Sequence, residues 1–304
     1  MQKRNGKRPA PDLSVVIVSY NTARITVDCI TSLYESLQGR NLHVETVVVD
    51  NGSTDGSIEE IKRLKVLYPE IRLIEAGSNL GFGKANNLGV RHVSSGYLLL
   101  LNSDVIVLEN AVEKLYRFYR AHEAEYQFVG GKLFNTDMTP QSSAGRFFTL
   151  PVAFAFLLLF GDRLGITRSS PMRTVQTDWV SGACIMTHTR YYQAVGGFDE
   201  GIFMYMEEVD LLYRAAKKGY RTGFFPDASF IHIGSASSNK TYPVLQAFRG
   251  LLYFYRKHYG PISLLLLKRM LQLKSLLGWG IGFLTGNTYL KKTYEEAFRI
   301  TRMD

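Results

Sequence analysis

The sequence predicts an α/β protein built on an open sheet, on three observations: apolar runs suited to strands buried on both faces, a helical spacing between the first two, and polar turn-forming clusters where the strands end. Leu13–Tyr20, LSVVIVSY, reads as the first strand and Val44–Asp50, VETVVVD, as the second. Thr22–Gln38 between them has the 3.6-residue spacing of a helix, so the segment is a βαβ unit. The second strand runs directly into Asn51–Gly56, a loop of turn formers. Tyr97–Leu101 is a further strand without polar alternation, as expected when both faces are covered, and Asn102, Ser103 and Asp104 fall at its end. Ligands of open α/β sheets gather at the carboxyl ends of strands, which makes these polar clusters the candidate site.

A carboxylate such as Asp104 at a strand end suits a hard divalent cation shared with substrate phosphates. Asn-x-Asp by itself is more often the signature of an Asx turn. A third loop, Asn79–Gly89, NLGFGKANNLG, offers small residues for close backbone approach and amides for hydrogen bonding. Its Gly81-x-Gly83 does not complete a dinucleotide fingerprint, because Asn86 stands in place of the third glycine and the loop follows too late a strand. A nicotinamide enzyme is excluded on that ground.

The run Gly196–Arg214, GGFDEGIFMYMEEVDLLYR, holds five carboxylates beside a Gly pair and then enters a helical pattern. Helical geometry places Glu207 and Asp210 on one face, with Glu208 about 100° away. Asp210 and Arg214, four apart, are spaced for an ion pair, which leaves Glu208 without a local partner. Acidic residues also favour a helix start for structural reasons alone.

In order along the chain, SVVIVSYN, VVVDNGSTDGS, NLGFGKANNLG, LLLLNSDV, WVSGACIM, GGFDEGIFMYMEEVDLLYR and IHIGS resemble the words of family-two inverting glycosyltransferases of the GT-A fold, most like the bacterial rhamnosyltransferases. The match covers roughly Leu13 to Ser238. The resemblance implies a central mixed sheet flanked by helices, with Ser19, Tyr20, Asn21, Asp50 and Asn51 around the base and ribose and Asp50 bonding a pyrimidine. Asn79, Gly81, Asn86 and Asn87 would line the donor pocket. Asn102, Ser103 and Asp104 occupy the family's metal-binding triplet with Asn in its first place, and His232 is the candidate for a second ligand to Mg²⁺ or Mn²⁺; a lone His in an apolar strand is also commonly a core residue. Glu207, Glu208 and Asp210 are the candidate catalytic acids. The second acid of the family's Glu-Asp pair is its base, and Glu208 stands there with a side chain one methylene longer. Trp179–Ala183 would lie near donor and acceptor, although Trp179 equally fits core packing.

The expected function is metal-dependent, inverting transfer of a sugar, rhamnose from dTDP-rhamnose, onto a bacterial cell-surface glycan or lipid-linked acceptor. Alternatives are another donor, UDP-hexose or UDP-galactofuranose, and a catalytically silent nucleotide-sugar-binding protein. Retention of Asp104, Glu207, Glu208 and Asp210 favours an enzyme.

The 304 residues and 46% hydrophobic content allow one large domain with an appendage. The organisation read from sequence is a basic tail over 1–11, the catalytic domain over 12–238 and a basic amphipathic helical extension over 239–304. Of the net charge of +9, residues 1–10 carry +4, residues 239–304 carry +8 and the segment between them −3. A footprint confined to the ends, without a reading motif, argues against nucleic acid. Cys29 and Cys184, in a predicted helix and strand, are the only cysteines, which fits a reducing compartment. The first ten residues lack the apolar core of a signal peptide. Pro261–Leu284 is apolar but interrupted by Lys268, Arg269 and Lys274, as in helices that lie on an anionic leaflet. Packing on the catalytic domain is the competing reading. The expected location is therefore cytoplasmic, at the inner face of the plasma membrane. Leu150–Phe160 is too short to span a bilayer and reads as core, lipid contact or the surface of a homodimer.

Overall fold

A computed structural model describes residues 10–234 and 241–303 of the chain. Most of the predicted basic tail, and the predicted domain boundary at 238, lie outside the described residues. The first half alternates strand and helix: β1 (Leu13–Ser19), α1 (Ala23–Ser36), β2 (Val44–Asp50), α2 (Ser57–Leu67), β3 (Ile71–Glu75), α3 (Phe82–Val90) and β4 (Tyr97–Asn102). There follow β5 (Val105–Val107), α4 (Ala111–His122), β6 (Phe128–Phe134), β7 (Pro140–Gln141), β8 (Ala144–Gly145), α5 (Leu150–Leu158), β9 (Arg168–Ser169), β10 (Val175–Thr177), β11 (Trp179–Val180) and β12 (Cys184–His188). The chain continues through α6 (Thr189–Ala194), α7 (Glu207–Lys217), β13 (Thr222–His232), α8 (Thr241–His258), α9 (Pro261–Leu284) and α10 (Thr288–Met303).

Ten strands form one mixed sheet along the path β10-β13-β6-β12-β4-β1-β2-β3, with β5 on β13 and β7 on β6. The β4-β1-β2-β3 portion is parallel, and β12 is antiparallel to both its neighbours. From β1 the chain moves outward to β2 and β3 and then returns to the other side of β1 as β4. The crevice between the ends of β1 and β4 is thus a topological switch point. A second sheet, β11-β8-β9, stands apart.

The unbroken apolar runs have a simple cause. Val16, Leu98 and Leu100 belong to the core on one face of the sheet, whereas Val15, Ile17, Leu99 and Leu101 belong to the core on the other. Each buried Leu or Val contributes about 1.5–3 kcal/mol. Helix α1 buries Thr26, Cys29, Ile30 and Leu33, the stripe its spacing predicts. Both cysteines are buried and free.

One expected loop is a helix. Residues 82–90 of the Gly- and Asn-rich segment form α3, which packs flush on the sheet: a Cβ on Gly89 would stand 2.5 Å from Val16 Cγ1 and 3.1 Å from Val49 Cγ2. Helix α8 buries Phe248, Leu251, Leu252, Phe254 and Tyr255 in the same core as Val16 and Leu100. Among the described residues no helix is long and apolar enough to cross a membrane.

Candidate active site

The carboxyl ends of β1, β2 and β4 and the start of α7 converge on a cleft of about 250 Å³, lined among others by Tyr20, Asn51, Asn79, Asp104, Glu208 and His232. Asn102, Ser103 and Glu207 also face it. A larger cavity of about 1080 Å³ lies beneath Tyr34, His43 and Arg72 at the opposite ends of the strands and contains none of the predicted groups.

Asp104 sits in the turn between β4 and β5. Its backbone carbonyl accepts from Ile233 at 2.9 Å and its Oδ2 from the Gly234 N–H at 3.1 Å. Pairing of β5 with β13 sets His232 opposite Val105, which brings His232 Nε2 to 3.3 Å from Asp104 Oδ1. Gln141, on β7, orients the ring. Its amide donates to Asn135 Oδ1 at 2.9 Å and to the His232 carbonyl at 3.2 Å, so its Oε1 accepts from His232 Nδ1 at 2.7 Å. With its proton on Nδ1, a neutral His232 would present the Nε2 lone pair beside Asp104, the tautomer that ligates metals.

This pair fits a divalent cation. Ligand atoms at right angles about an octahedral ion at about 2.1 Å stand about 3 Å apart, close to the Asp104–His232 separation. Asn102 Oδ1, beside it, is buried without a partner among the described residues. No group of three or more His, Cys, Asp or Glu able to hold a metal occurs among the described residues. Two protein ligands with the rest from phosphate and water is the usual arrangement for a magnesium-type ion at a nucleotide.

Across the cleft, Tyr205 and Met206 both adopt left-handed backbone, at φ 66° and 78°, immediately before α7. Such consecutive non-glycine residues are uncommon. They deliver Glu207 and Glu208 together to the first turn of the helix, so the expected grouping of Glu207 with Asp210, apart from Glu208, does not hold. Glu207 is buried with Oε2 unpartnered among the described residues, whereas Glu208 is half-buried. Burial, and then the neighbouring Glu208 charge, raise the Glu207 carboxyl well above the ordinary value. Burial also raises Glu208, but the backbone N–H groups near it and the Arg168 charge oppose the rise. Two carboxyls this close cannot both ionise cheaply, and burial raises both.

Several predicted residues build the site rather than face it. Asp210 is fully buried among Arg214 (Nε to Oδ2, 2.7 Å), Lys257 (2.8 Å) and His258 (2.6 Å), and is not part of the cleft wall. Arg214 in turn donates to the Val195 carbonyl and, at 2.7 Å, to that of Gly197, so the acidic helix is stapled to the loop before it. Asn87 accepts from Phe198 N at 3.0 Å and from Tyr192 Oη at 2.6 Å, and donates to the Phe198 carbonyl at 2.9 Å. Asn86 donates back to the Phe82 carbonyl within α3. Neither lines the cleft. Ser19 is buried against Thr26 at 2.9 Å, and Asn21 accepts from the Thr54 N–H at 2.8 Å. Gly81 has φ +83°, and a Cβ there would meet the Phe203 carbonyl at 2.8 Å, so glycine lets the two loops cross. Asp50 Oδ2 accepts from Gly52 N and Ser53 N, while its buried Oδ1 has no partner among the described residues. Trp179 is core, its ring over Gly145 and its Nε1 bonded to the Arg146 carbonyl at 2.9 Å.

Sequence reasoning missed Gln141, Thr22, Phe82, Met204 and Tyr205. The last two lie inside the acidic motif. Gln141 had no local signal, because its partners are His232, 91 residues away, and Asn135.

A switch-point cleft with a strand-end carboxylate facing a helix-borne acid pair is an arrangement that can receive a nucleotide-linked donor. Residues 14–180 match the model of Glycosyl transferase family 2, and the chain belongs to that family. It is 29% identical over 219 residues to the N-acetylglucosaminyl-diphospho-decaprenol L-rhamnosyltransferase of Mycobacterium tuberculosis, covering 65% of this chain and 69% of that one. It is 26% identical over 227 residues to the rhamnosyltransferase WbbL of Escherichia coli, covering 72% and 82%. It is 25% identical over 225 residues to the low-salt glycan biosynthesis hexosyltransferase Agl10 of Haloferax volcanii, covering 73% and 67%. In fold it is similar to the mannosyltransferase PcManGT of Pyrobaculum calidifontis, solved with GDP-Man and Mn²⁺, with a TM-score of 0.58 at 16% identity over 97% of this chain and 76% of that one.

Proposed function

We propose that this glycosyltransferase moves rhamnose from dTDP-rhamnose, with inversion, onto a lipid-linked glycan at the cytoplasmic face of the plasma membrane. The observation that carries the reading is the placement of Asp104 and His232, 3.3 Å apart, in one cleft with Glu207 and Glu208. Similarity to two rhamnosyltransferases, one named for a decaprenol-linked acceptor, supports the donor and the acceptor class.

In this reading Asp104 and His232 hold a divalent cation, which would offset charge on the departing diphosphate. Gln141 fixes the His232 tautomer. Asp50 shapes the loop behind the cleft through its bonds to Gly52 N and Ser53 N, and Tyr20, Asn51 and Asn79 on the cleft wall face the donor. Glu208 removes the proton of the acceptor hydroxyl as that oxygen bonds to the anomeric carbon. The bond from that carbon to the diphosphate oxygen breaks on the opposite face, and the diphosphate leaves with the electron pair. Glu207, protonated in this reading, donates a hydrogen bond beside the base and does not compete for the proton.

The test is a screen of dTDP-rhamnose, UDP-glucose, UDP-galactofuranose and GDP-mannose for turnover and thermal stabilisation, with Mn²⁺ and with chelator. Metal-dependent release of dTDP is expected. Preference for a UDP-sugar would reassign the donor, and binding without turnover of any donor, with acceptor lipid present, would mark a silent protein.

A further inference from the structure

Helix α9 is apolar on the wrong side for an ordinary surface helix. Its inward residues Leu267, Leu271, Ser275, Gly278 and Gly282 are buried. On that side α10 lies flush against it, since a Cβ on Gly278 would stand 2.4 Å from the Tyr294 ring. The opposite face carries Ile262, Leu265, Leu273, Leu276, Leu277 and Leu284, between 47% and 84% exposed. Helix α5 packs beside α9, with Lys274 Nζ 5.9 Å from the centre of the Phe160 ring. On α5 and the loop after it, Phe154, Leu159, Phe160, Leu164 and Ile166 are also exposed, Phe160 and Leu164 to 65% and 66%. Two separate apolar segments of sequence therefore meet in one surface that no described residue covers, a contiguous patch rather than scattered apolar residues.

Charge decides what covers it. Pro261–Leu284 contains Lys268, Arg269 and Lys274 and no Asp or Glu, and Arg163 sits in the α5 loop. Face-to-face copies of the chain would press these cations together, whereas anionic headgroups complement them. With one side packed on α10, the helix fits the plane of an interface, its apolar face in the acyl boundary. We infer that α5 and α9 form a single seat for an anionic bilayer. The inference deepens the lipid-acceptor part of the proposed function by naming the surface that touches lipid.

The experiment uses the full chain without nucleotide sugar, mixed with phosphatidylcholine vesicles with or without phosphatidylglycerol. The chain has two tryptophans; Trp179 is buried and Trp279, on α9, is 39% exposed, so emission reports α9. Cosedimentation with the anionic vesicles is expected, with blue-shifted emission quenched by brominated lipid and lost in Trp279→Phe. Leu273→Asp with Leu277→Asp on α9, and separately Phe160→Asp with Leu164→Asp on α5, should each lower partitioning at least tenfold. Arg269→Glu should weaken binding to anionic vesicles alone. All keep the wild-type melting temperature and turnover with a soluble acceptor, so failure of the seat is distinguishable from failure of the transferase reading. Three results would overturn the inference: no partitioning of the wild type, wild-type partitioning by the α5 double variant, or a stable dimer that the α9 double variant dissolves.

Discussion

Asp210→Asn separates the part of the acidic run that holds the protein together from the part that does chemistry. Burial pushes the Asp210 carboxyl upward, but hydrogen bonds from His258 and Lys257 and the Arg214 guanidinium outweigh it and bring the group from 3.8 to about 2. That displacement corresponds to roughly 2.5 kcal/mol of native-state stabilisation of the carboxylate. The sign is that of a depressed acid: the contribution is full above the unfolded-state value near 3.8 and is lost as pH falls through about 2. Replacement by Asn also leaves the half-buried Arg214 guanidinium and the Lys257 ammonium without their anion, so a loss of about 3 kcal/mol is expected at pH 7. In a chain of this size that lowers the melting temperature by roughly 5–10 °C. Urea unfolding at pH 7 and at pH 3 measures it, with the deficit smaller at the lower pH. Turnover per folded molecule at low temperature should stay within about threefold of wild type, because Asp210 is outside the cleft. A variant as stable as wild type but inactive would refute this reasoning and return Asp210 to the catalytic acids.

Asp104→Ala and His232→Ala should each abolish tight Mn²⁺ binding measured by calorimetry, and Gln141→Leu should weaken it by about 10- to 100-fold through loss of ring orientation; unchanged affinity in Gln141→Leu would leave the tautomer argument without support. Since burial raises Glu208 and a base must be ionised, turnover should fall as pH drops through a value above the ordinary carboxylate range. Arg168→Ala, which removes an opposing charge, should move that limb higher, and a limb that stays in place would contradict the assignment. Gly89→Ala should cost about 1–3 kcal/mol by overpacking α3 on Val16, measured by urea unfolding; a neutral substitution would mean that α3 lifts freely from the sheet.

Strands β1, β2 and β4 were legible because burial on both faces writes itself as unbroken apolar sequence, and Asp104 because the strand ends there. Helix α3 was hidden by its glycines and asparagines, which read as loop but serve close packing and the Asn87 clamp on Phe198. The pairing of Glu207 with Glu208 across from the metal pair depends on the left-handed turn at Tyr205 and Met206, which spacing alone does not reveal. Ideal helical angles put Glu207 with Asp210. Gln141 and the Lys257 and His258 partners of Asp210 are long-range contacts between segments without motifs. The basic residues of 239–304 read as a charged extension, yet Lys257 among them pairs with a buried carboxylate, with His258 hydrogen-bonded beside it.

The most direct test of the central claim is single-turnover transfer from dTDP-rhamnose with Mn²⁺ and acceptor lipid present, comparing wild type with Glu208→Gln and Glu207→Gln. Glu208→Gln should bind donor normally and transfer about 10²-fold more slowly or worse. Glu207→Gln, which keeps a hydrogen-bond donor where this reading places a protonated acid, should retain most of its rate. Normal transfer by Glu208→Gln alongside a dead Glu207→Gln that still binds donor would contradict the account and exchange the two roles.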